Sequence, residues 1–152
     1  MSGSWNPAEF PALTDADFTE TSRATRKYNC IAWAAKDTTK KWWPDPLGIG
    51  KWPPNVPREV TVDAFVRAFS TLGYVRCDNR ELEPGFEKVV FYGIIDLNGN
   101  ISPTHAAIQL PNGNWSSKIG DCEDIEHPAL ESLEGPLYGQ VLARYLKRPR
   151  QP

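Results

Sequence analysis

A helical period of apolar residues stands out in the middle of the chain, at residues 61–72. The apolar side chains fall at the spacing i, i+3, i+4, i+7 and i+10, which places them on one face of a helix. Thr61 can cap the first turn, and Gly73 follows where a helix commonly ends. The pattern predicts an amphipathic helix that packs on a core and carries no chemistry of its own.

From residue 86 onward the apolar period changes to two, which is typical of half-buried strands. Residues 88–92, 104–110 and 115–119 predict three strands, and the connections between them contain Asn-Gly pairs, which favour tight hairpin turns. A further apolar strand is predicted over residues 139–146. Together these strands are expected to form an antiparallel β-meander.

A second, shorter helix is predicted over residues 29–36, where Asn29 can cap a run of small and apolar residues. Cys30 stands at the start of this helix, where unpaired N–H groups and the macrodipole favour the thiolate over the thiol. Basic residues at 23–27 add positive charge just before it. Cys30 is therefore a candidate nucleophile; the alternative is a small buried hydrophobic residue, and the basic residues are then a solvated turn.

Tryptophan and proline are concentrated in residues 42–57. Proline removes backbone donors, so this segment is neither a helix nor a central strand. Its aromatic content argues against disorder. The segment is expected either to line a groove, with Trp42, Trp43 and Trp52 as binding residues, or to cover one edge of the core.

Composition and charge limit the function classes. The chain of 152 residues fits a single domain, and its formal net charge of −2 comes without the basic stripe of nucleic-acid binders. Its three cysteines are widely spaced, which indicates neither a disulfide framework nor a zinc site, and we predict no metal and no cofactor. A signal peptide and a membrane span are both missing from the pattern. We expect a cytoplasmic protein without nucleic-acid or membrane partners, or one exported without a signal peptide.

Three regions are expected within the domain of residues 1–152. Residues 1–27 are predicted to be mostly irregular, with turns at 14–17. Residues 28–147 hold the predicted helices and strands and form the core. Residues 148–152 are predicted to be a frayed basic tail.

The chain has two histidines in different surroundings. His105 opens a predicted strand beside two alanines, which leave room for a second group, so it is a candidate general base; the alternative is a strand histidine bonded to a backbone carbonyl. His127 follows the acidic run of residues 121–126 and is expected at the surface or as a cap. The run itself is either a cation site or a solvated loop.

Four features follow one another in a recognisable order along the chain. They are Cys30 at a helix start, a Pro-Gly strand at residues 84–92, a strand of residues 105–110 that begins with His, and the turn before Trp115. This order resembles the NlpC-type branch of the papain-like cysteine peptidases, over residues 28–119. The resemblance implies an α+β, papain-like (NlpC-like) single domain in which N-terminal helices pack on an antiparallel β-meander.

By the same resemblance Cys30 is the nucleophile, His105 is the base and Ser117 is the residue that orients the imidazole. Serine is a departure from the family pattern because it brings no charge. Gln109 and Asp121 are the alternatives for this third role.

The sequence also departs from that pattern at the cysteine, which follows Asn29 where the family has an acidic residue. The oxyanion hole is expected at the Cys30 backbone N–H, with a further donor from Tyr28 or Asn29. These two residues and the three loop tryptophans make up the expected substrate-binding set. The whole chain also resembles an uncharacterised family of small bacterial proteins, in residues 28–34 and 103–107, and that resemblance supplies no activity.

The sequence supports two hypotheses on function. The first is a cysteine hydrolase, a peptidase or amidase in which Cys30 attacks a peptide or amide substrate with His105 as base. The second is a non-catalytic binding or interaction protein on the same scaffold, with residues 42–57 holding a protein partner. A Cys30–His105 hydrogen bond at an open groove favours the first, and burial of Cys30 with His105 facing elsewhere opposes it.

Overall fold

One antiparallel sheet organises the molecule. The computed structural model describes residues 6–13, 18–119 and 122–151. In chain order the elements are β1 (Thr19–Glu20), α1 (Cys30–Ala34), α2 (Val62–Ser70), β2 (Val75–Cys77), β3 (Phe86–Ile95), β4 (Ile101–Gln109), β5 (Trp115–Lys118), β6 (Asp124–His127), a 3-10 helix (Leu130–Leu133) and β7 (Gln140–Pro149). In the described residues the sheet has seven strands in the order β1-β6-β5-β4-β3-β7-β2.

This architecture is β-rich, so the predicted α+β, papain-like fold is wrong. The α-helices of the described residues have only five and nine residues, too few to form a helical half of the domain. Helix α1 ends early because Lys36 adopts a left-handed φ of 62°, and the proline-rich segment that follows cannot resume a helix. The acidic run, expected as a loop, contributes β6 to the sheet.

The two strongest sequence patterns are confirmed. Helix α2 begins after Thr61, whose side chain accepts a hydrogen bond from the N–H of Ala64 at 3.1 Å, and it buries Phe65 and Phe69. Strands β3, β4 and β5 pair in sequence as the predicted meander. A 3-10 helix follows Pro128.

The chain end beyond residue 147 differs from the expected frayed tail. Arg148 lies within β7 and is buried, and its Nε donates to Glu87 Oε2 at 2.7 Å. Arg150 donates through Nη2 to the carbonyl of Phe86 at 2.8 Å. The basic side chains therefore fix the last strand to β3. The turns expected at residues 14–17, and Asp121, lie outside the described residues.

The sheet carries a hydrophobic core on each face, because side chains alternate along its central strands. On the helical face, α1, α2 and the buried Trp42 and Trp52 cover residues such as Phe91 and Ala106. On the opposite face, the segment 6–13 and the 3-10 helix cover the intervening positions, among them Tyr92 and Ala107. Within the described ranges, no helix is long and apolar enough to cross a membrane.

Candidate functional site

Asn29 joins the start of helix α1 to the tryptophan- and proline-rich segment of residues 42–57, which we call the aromatic loop. Its Oδ1 accepts hydrogen bonds from the N–H of Ala32 at 3.1 Å, as an N-cap, and from the N–H of Trp42 at 3.0 Å. Its Nδ2 donates to the carbonyl of Trp42 at 2.7 Å. One amide thus caps the helix and holds the loop backbone on both sides, which explains why asparagine precedes the cysteine.

Cys30 is buried on the helical face of the sheet, with 6% of its surface exposed. Its thiol donates to the carbonyl of Thr104 at 3.7 Å. Burial raises the pKa of Cys30 to about 11, and the nearby backbone N–H groups and Lys118 offset only part of that rise. The residue is a neutral thiol at physiological pH, in the manner of a core cysteine.

His105 lies on the opposite face of the sheet from Cys30. Its ring stacks on Tyr138 with centroids 4.1 Å apart and meets Tyr92 edge-on at 5.0 Å. The next residue, Ala106, belongs to the helical-face core, so the alternation of β4 turns His105 away from α1. Among the described residues neither ring nitrogen has a hydrogen-bond partner, and burial lowers the pKa of His105 well below its usual value. The structure does not bring Cys30 and His105 together.

Ser117 bonds to a different histidine. Its Oγ lies 2.8 Å from Nε2 of His127, and His127 Nδ1 lies 2.9 Å from the carbonyl of Ala129. A carbonyl only accepts, so Nδ1 carries the proton and Ser117 donates to Nε2. Both side chains are completely buried, and burial lowers the pKa of His127. The expectation that His127 is a surface or capping residue is therefore wrong.

The other residues considered for the third role and for a cation site are engaged elsewhere. The Gln109 amide donates to the carbonyl of Arg80 at 3.1 Å. Asp124 in the acidic run is buried and accepts a hydrogen bond from the Tyr28 hydroxyl at 2.7 Å. In the part of the chain that the structure describes, no group of three or more His, Cys, Asp or Glu side chains could hold a metal ion.

Three of the five predicted binding residues belong to the core. Trp42 and Trp52 are buried and pack on Phe69 and Phe65, with ring centroids 6.4 and 5.1 Å apart. Tyr28 is buried and stacks on Trp33. Trp42 and Trp52 therefore attach the loop to helix α2, Tyr28 packs on helix α1, and none of the three is presented to a ligand.

The remaining two, Asn29 and Trp43, line an open cavity of about 770 Å³ on the aromatic loop. Its other lining residues are Lys40, Lys41, Asp45, Pro46, Leu47, Ile49 and Gly50. We call residues 40–50 the loop surface. It is the part of the expected site that the structure leaves open.

The loop surface is held in one conformation by Asp45. Its carboxylate accepts hydrogen bonds from the N–H of Ile49 at 2.8 Å and of Gly50 at 2.6 Å, and these bonds hold the pKa of Asp45 below its usual value. Arg58 donates to the carbonyls of Asp45 and Gly50 at 2.8 and 2.9 Å. On this braced backbone Leu47 and Ile49 are 82% and 83% exposed.

The chemical state of Cys30 predicts its reactivity. In the native protein near neutral pH, we expect iodoacetamide to alkylate the partly exposed Cys77 and Cys122 well before Cys30, because the buried thiol is protonated. Peptide mapping by mass spectrometry after timed quenching measures the three rates. In urea the three cysteines should react at comparable rates. A native Cys30 that reacts first would contradict this assignment.

The family comparison covers almost the whole of the described fold. A family model described as a domain of unknown function, DUF7689, matches residues 19–146, from β1 into β7. Searches of curated proteins and of solved structures gave no match. The matched range contains Cys30, His105, Ser117 and the loop surface. This chain therefore belongs to the DUF7689 family.

Proposed function

We propose that this protein is a binding module whose loop surface holds a segment of a partner protein that carries both large apolar and acidic side chains. The observation that carries the proposal is the display of Leu47 and Ile49 on a braced loop. This is the second of the two hypotheses from the sequence, moved from a papain-like scaffold to a β-rich one.

Exposed aliphatic side chains on a fixed loop indicate a partner. Burying a leucine or isoleucine is favourable by about 1.5–3 kcal/mol, and Leu47 and Ile49 forgo nearly all of it in the isolated chain. Asp45 and Arg58 hold the loop backbone in place, so binding of a partner does not carry the entropy cost of ordering this loop. Leu47 and Ile49 form an apolar patch with Pro46 and Trp43 at a concave site.

Charge at the loop surface favours an acidic partner. Lys40 and Lys41 line the cavity beside the apolar side chains. The acidic side chain in the lining, Asp45, accepts hydrogen bonds from the loop backbone and lies 3.4 Å from Arg58. Lys40 therefore gives the loop surface a positive edge, which attracts acidic groups and opposes basic ones.

The positions of the candidate catalytic residues support binding over hydrolysis. A cysteine hydrolase needs an accessible thiolate beside an imidazole. Here burial holds Cys30 as a thiol, and His105 lies on the other face of the sheet. Ser117 and His127 are hydrogen-bonded but completely buried, so no substrate can reach them in this conformation.

Selection from a random peptide library displayed on phage tests the proposal. We expect the full chain to select peptides that combine Leu, Ile or Phe with Asp or Glu, and the double variant Leu47→Ser/Ile49→Ser to bind the same synthetic peptides at least about tenfold more weakly. Titration calorimetry measures the affinities.

A matched control removes an exposed aliphatic side chain elsewhere. Leu97, in the β3–β4 turn, is also fully exposed, and Leu97→Ser should bind the selected peptides as the unchanged chain does. The proposal fails if the selected peptides lack acidic residues, or if Leu97→Ser weakens binding as much as the double variant does.

A further inference from the structure

A second open cavity lies at the other end of helix α1. It has a volume of about 370 Å³, and its apolar lining comes from Trp33, Ile108, Leu110 and Pro111. Lys36 and Arg150 line it as well. It shares no lining residue with the cavity of the loop surface. The combination of an indole ring, an aliphatic wall and two cations is specific enough to indicate a class of ligand.

Three cations converge on a single buried carboxylate, that of Glu87, which also lines this cavity. Lys36 Nζ lies 2.8 Å from Glu87 Oε1, Arg148 Nε 2.7 Å from Oε2 and Arg150 Nη1 3.9 Å from Oε1. Glu87 is completely buried, whereas the side chains of Lys36 and Arg150 are 43% and 25% exposed. These four groups carry more positive than negative charge, and the two cations that reach the cavity are the ones with exposed surface.

Lys36 adopts a backbone conformation that is energetically unfavourable for any residue other than glycine. Lys36 has a left-handed φ of 62° at the end of α1, where its N–H bonds to the carbonyl of Trp33 and the N–H of Asp37 bonds to the carbonyl of Ala32. This arrangement favours glycine, since a Cβ destabilises the left-handed conformation. A lysine at this position places its ammonium group at the rim of the cavity.

We propose that this cavity binds a small organic anion with a planar apolar body. The body lies against Trp33 and the aliphatic wall, and the anionic group contacts Lys36 and Arg150. Tyr28 stacks on one face of the Trp33 indole, and the indole Nε1 is bonded to Ser116 at 2.9 Å, so the opposite face is the part available for stacking. Neither the loop surface nor Cys30 takes part, so this proposal stands or falls independently of the proposed function.

Titration calorimetry on the full chain with three probes of one shape tests the proposal: 2-naphthoate, 2-naphthyl phosphate and neutral 2-naphthamide. We expect at least one anion to bind with one-to-one stoichiometry and the amide to bind at least about tenfold more weakly, because charge-assisted hydrogen bonds supply the difference. The tighter of the two anions identifies the charged group. Equal affinity for the amide, or no binding of either anion, overturns the proposal.

Two variants localise the binding. Arg150→Gln and Lys36→Gly should each weaken the anion at least about tenfold. Lys36→Gly removes the ion pair with Glu87 but relieves the left-handed backbone conformation, and urea denaturation of this variant separates lost binding from lost stability. Lys51→Gln removes a lysine paired with Asp37 outside the cavity and should leave the affinity unchanged. If Lys51→Gln weakens the anion as much as Lys36→Gly does, binding reflects net charge alone and the proposal fails.

Discussion

Glu87→Ala is expected to lower the free energy of unfolding by about 3–5 kcal/mol, the range for breaking a buried ion pair. Although burial raises the pKa of Glu87, hydrogen bonds from Lys36 and Arg148 outweigh it and hold the pKa below its usual value, so the carboxylate is charged in the folded protein. Its removal leaves Arg148 with 8% of its side chain exposed and no carboxylate beside its Nε. Urea denaturation monitored by tryptophan fluorescence measures the loss.

The surface pair Arg67–Asp63 provides the control for Glu87. Its partners are 60% and 65% exposed, and Arg67→Ala should cost less than about 1 kcal/mol. Replacing both Glu87 and Arg148 by leucine should recover part of the stability lost in Glu87→Ala, since neither charge of the buried Glu87–Arg148 pair then remains. If Glu87→Ala costs no more than Arg67→Ala, the three cations are not held by this carboxylate.

Acid is expected to destabilise the protein between pH 7 and pH 5 through its two buried histidines. Burial lowers the pKa of both His105 and His127, so the folded state binds fewer protons than an unfolded chain, whose histidines titrate near pH ~6.5. Stability is therefore complete above the unfolded pKa and falls as the pH drops below it, by about 2 kcal/mol from His105 alone over this range. Urea denaturation at a series of pH values measures the slope.

The variant His105→Phe isolates this effect. Phenylalanine keeps the contacts with Tyr138 and Tyr92, and within the described structure it removes no hydrogen bond. The chain has two histidines, so His127 alone should set the remaining pH dependence of the free energy of unfolding between pH 7 and pH 5. Carboxylates such as Glu87 contribute only below about pH 4.5. An unchanged slope would mean that His105 is protonated in the folded protein.

The parts of the fold that follow a local pattern could be predicted from the sequence. Helix α2 has a cap, a period and a terminal glycine within its own segment, and the meander of β3, β4 and β5 has Asn-Gly turns between neighbours. The pairing of β1 with β6 has no such signal. It joins Thr19 to Glu126 across most of the chain, and the short β6 contains a single aliphatic residue, Ile125.

The candidate dyad could not be judged from the sequence because strand β4 is buried on both faces. Alternation assigns a face only where one side of a strand is polar. Here His105, Ala106 and Ala107 are all completely buried, so the residue types do not show which of them faces α1. Cys30 contacts β4 at the carbonyl of Thr104, whereas the side chain of the next residue, His105, projects to the opposite face of the strand.

The loop surface illustrates the same limit in another form. The sequence indicated that residues 42–57 are ordered and aromatic, but it did not distinguish which of their tryptophans could bind a ligand. The structure divides them by partner: Trp42 and Trp52 donate their indole N–H groups to Asp37 and to the carbonyl of Pro57, whereas Trp43 lines the cavity. The aliphatic Leu47 and Ile49, rather than the tryptophans, are the exposed large apolar residues there.

The two hydrophobic cores share their central strands, so the stability of one core depends on the other. Along β3, Phe91 faces the helices and Tyr92 faces the 3-10 helix, and neighbouring positions of β4 do the same. Loss of packing on either face of the sheet therefore destabilises strands on which the core of the other face also packs. The domain should unfold as one cooperative unit, with the amide protons of β3 and β4 among the last to exchange with solvent.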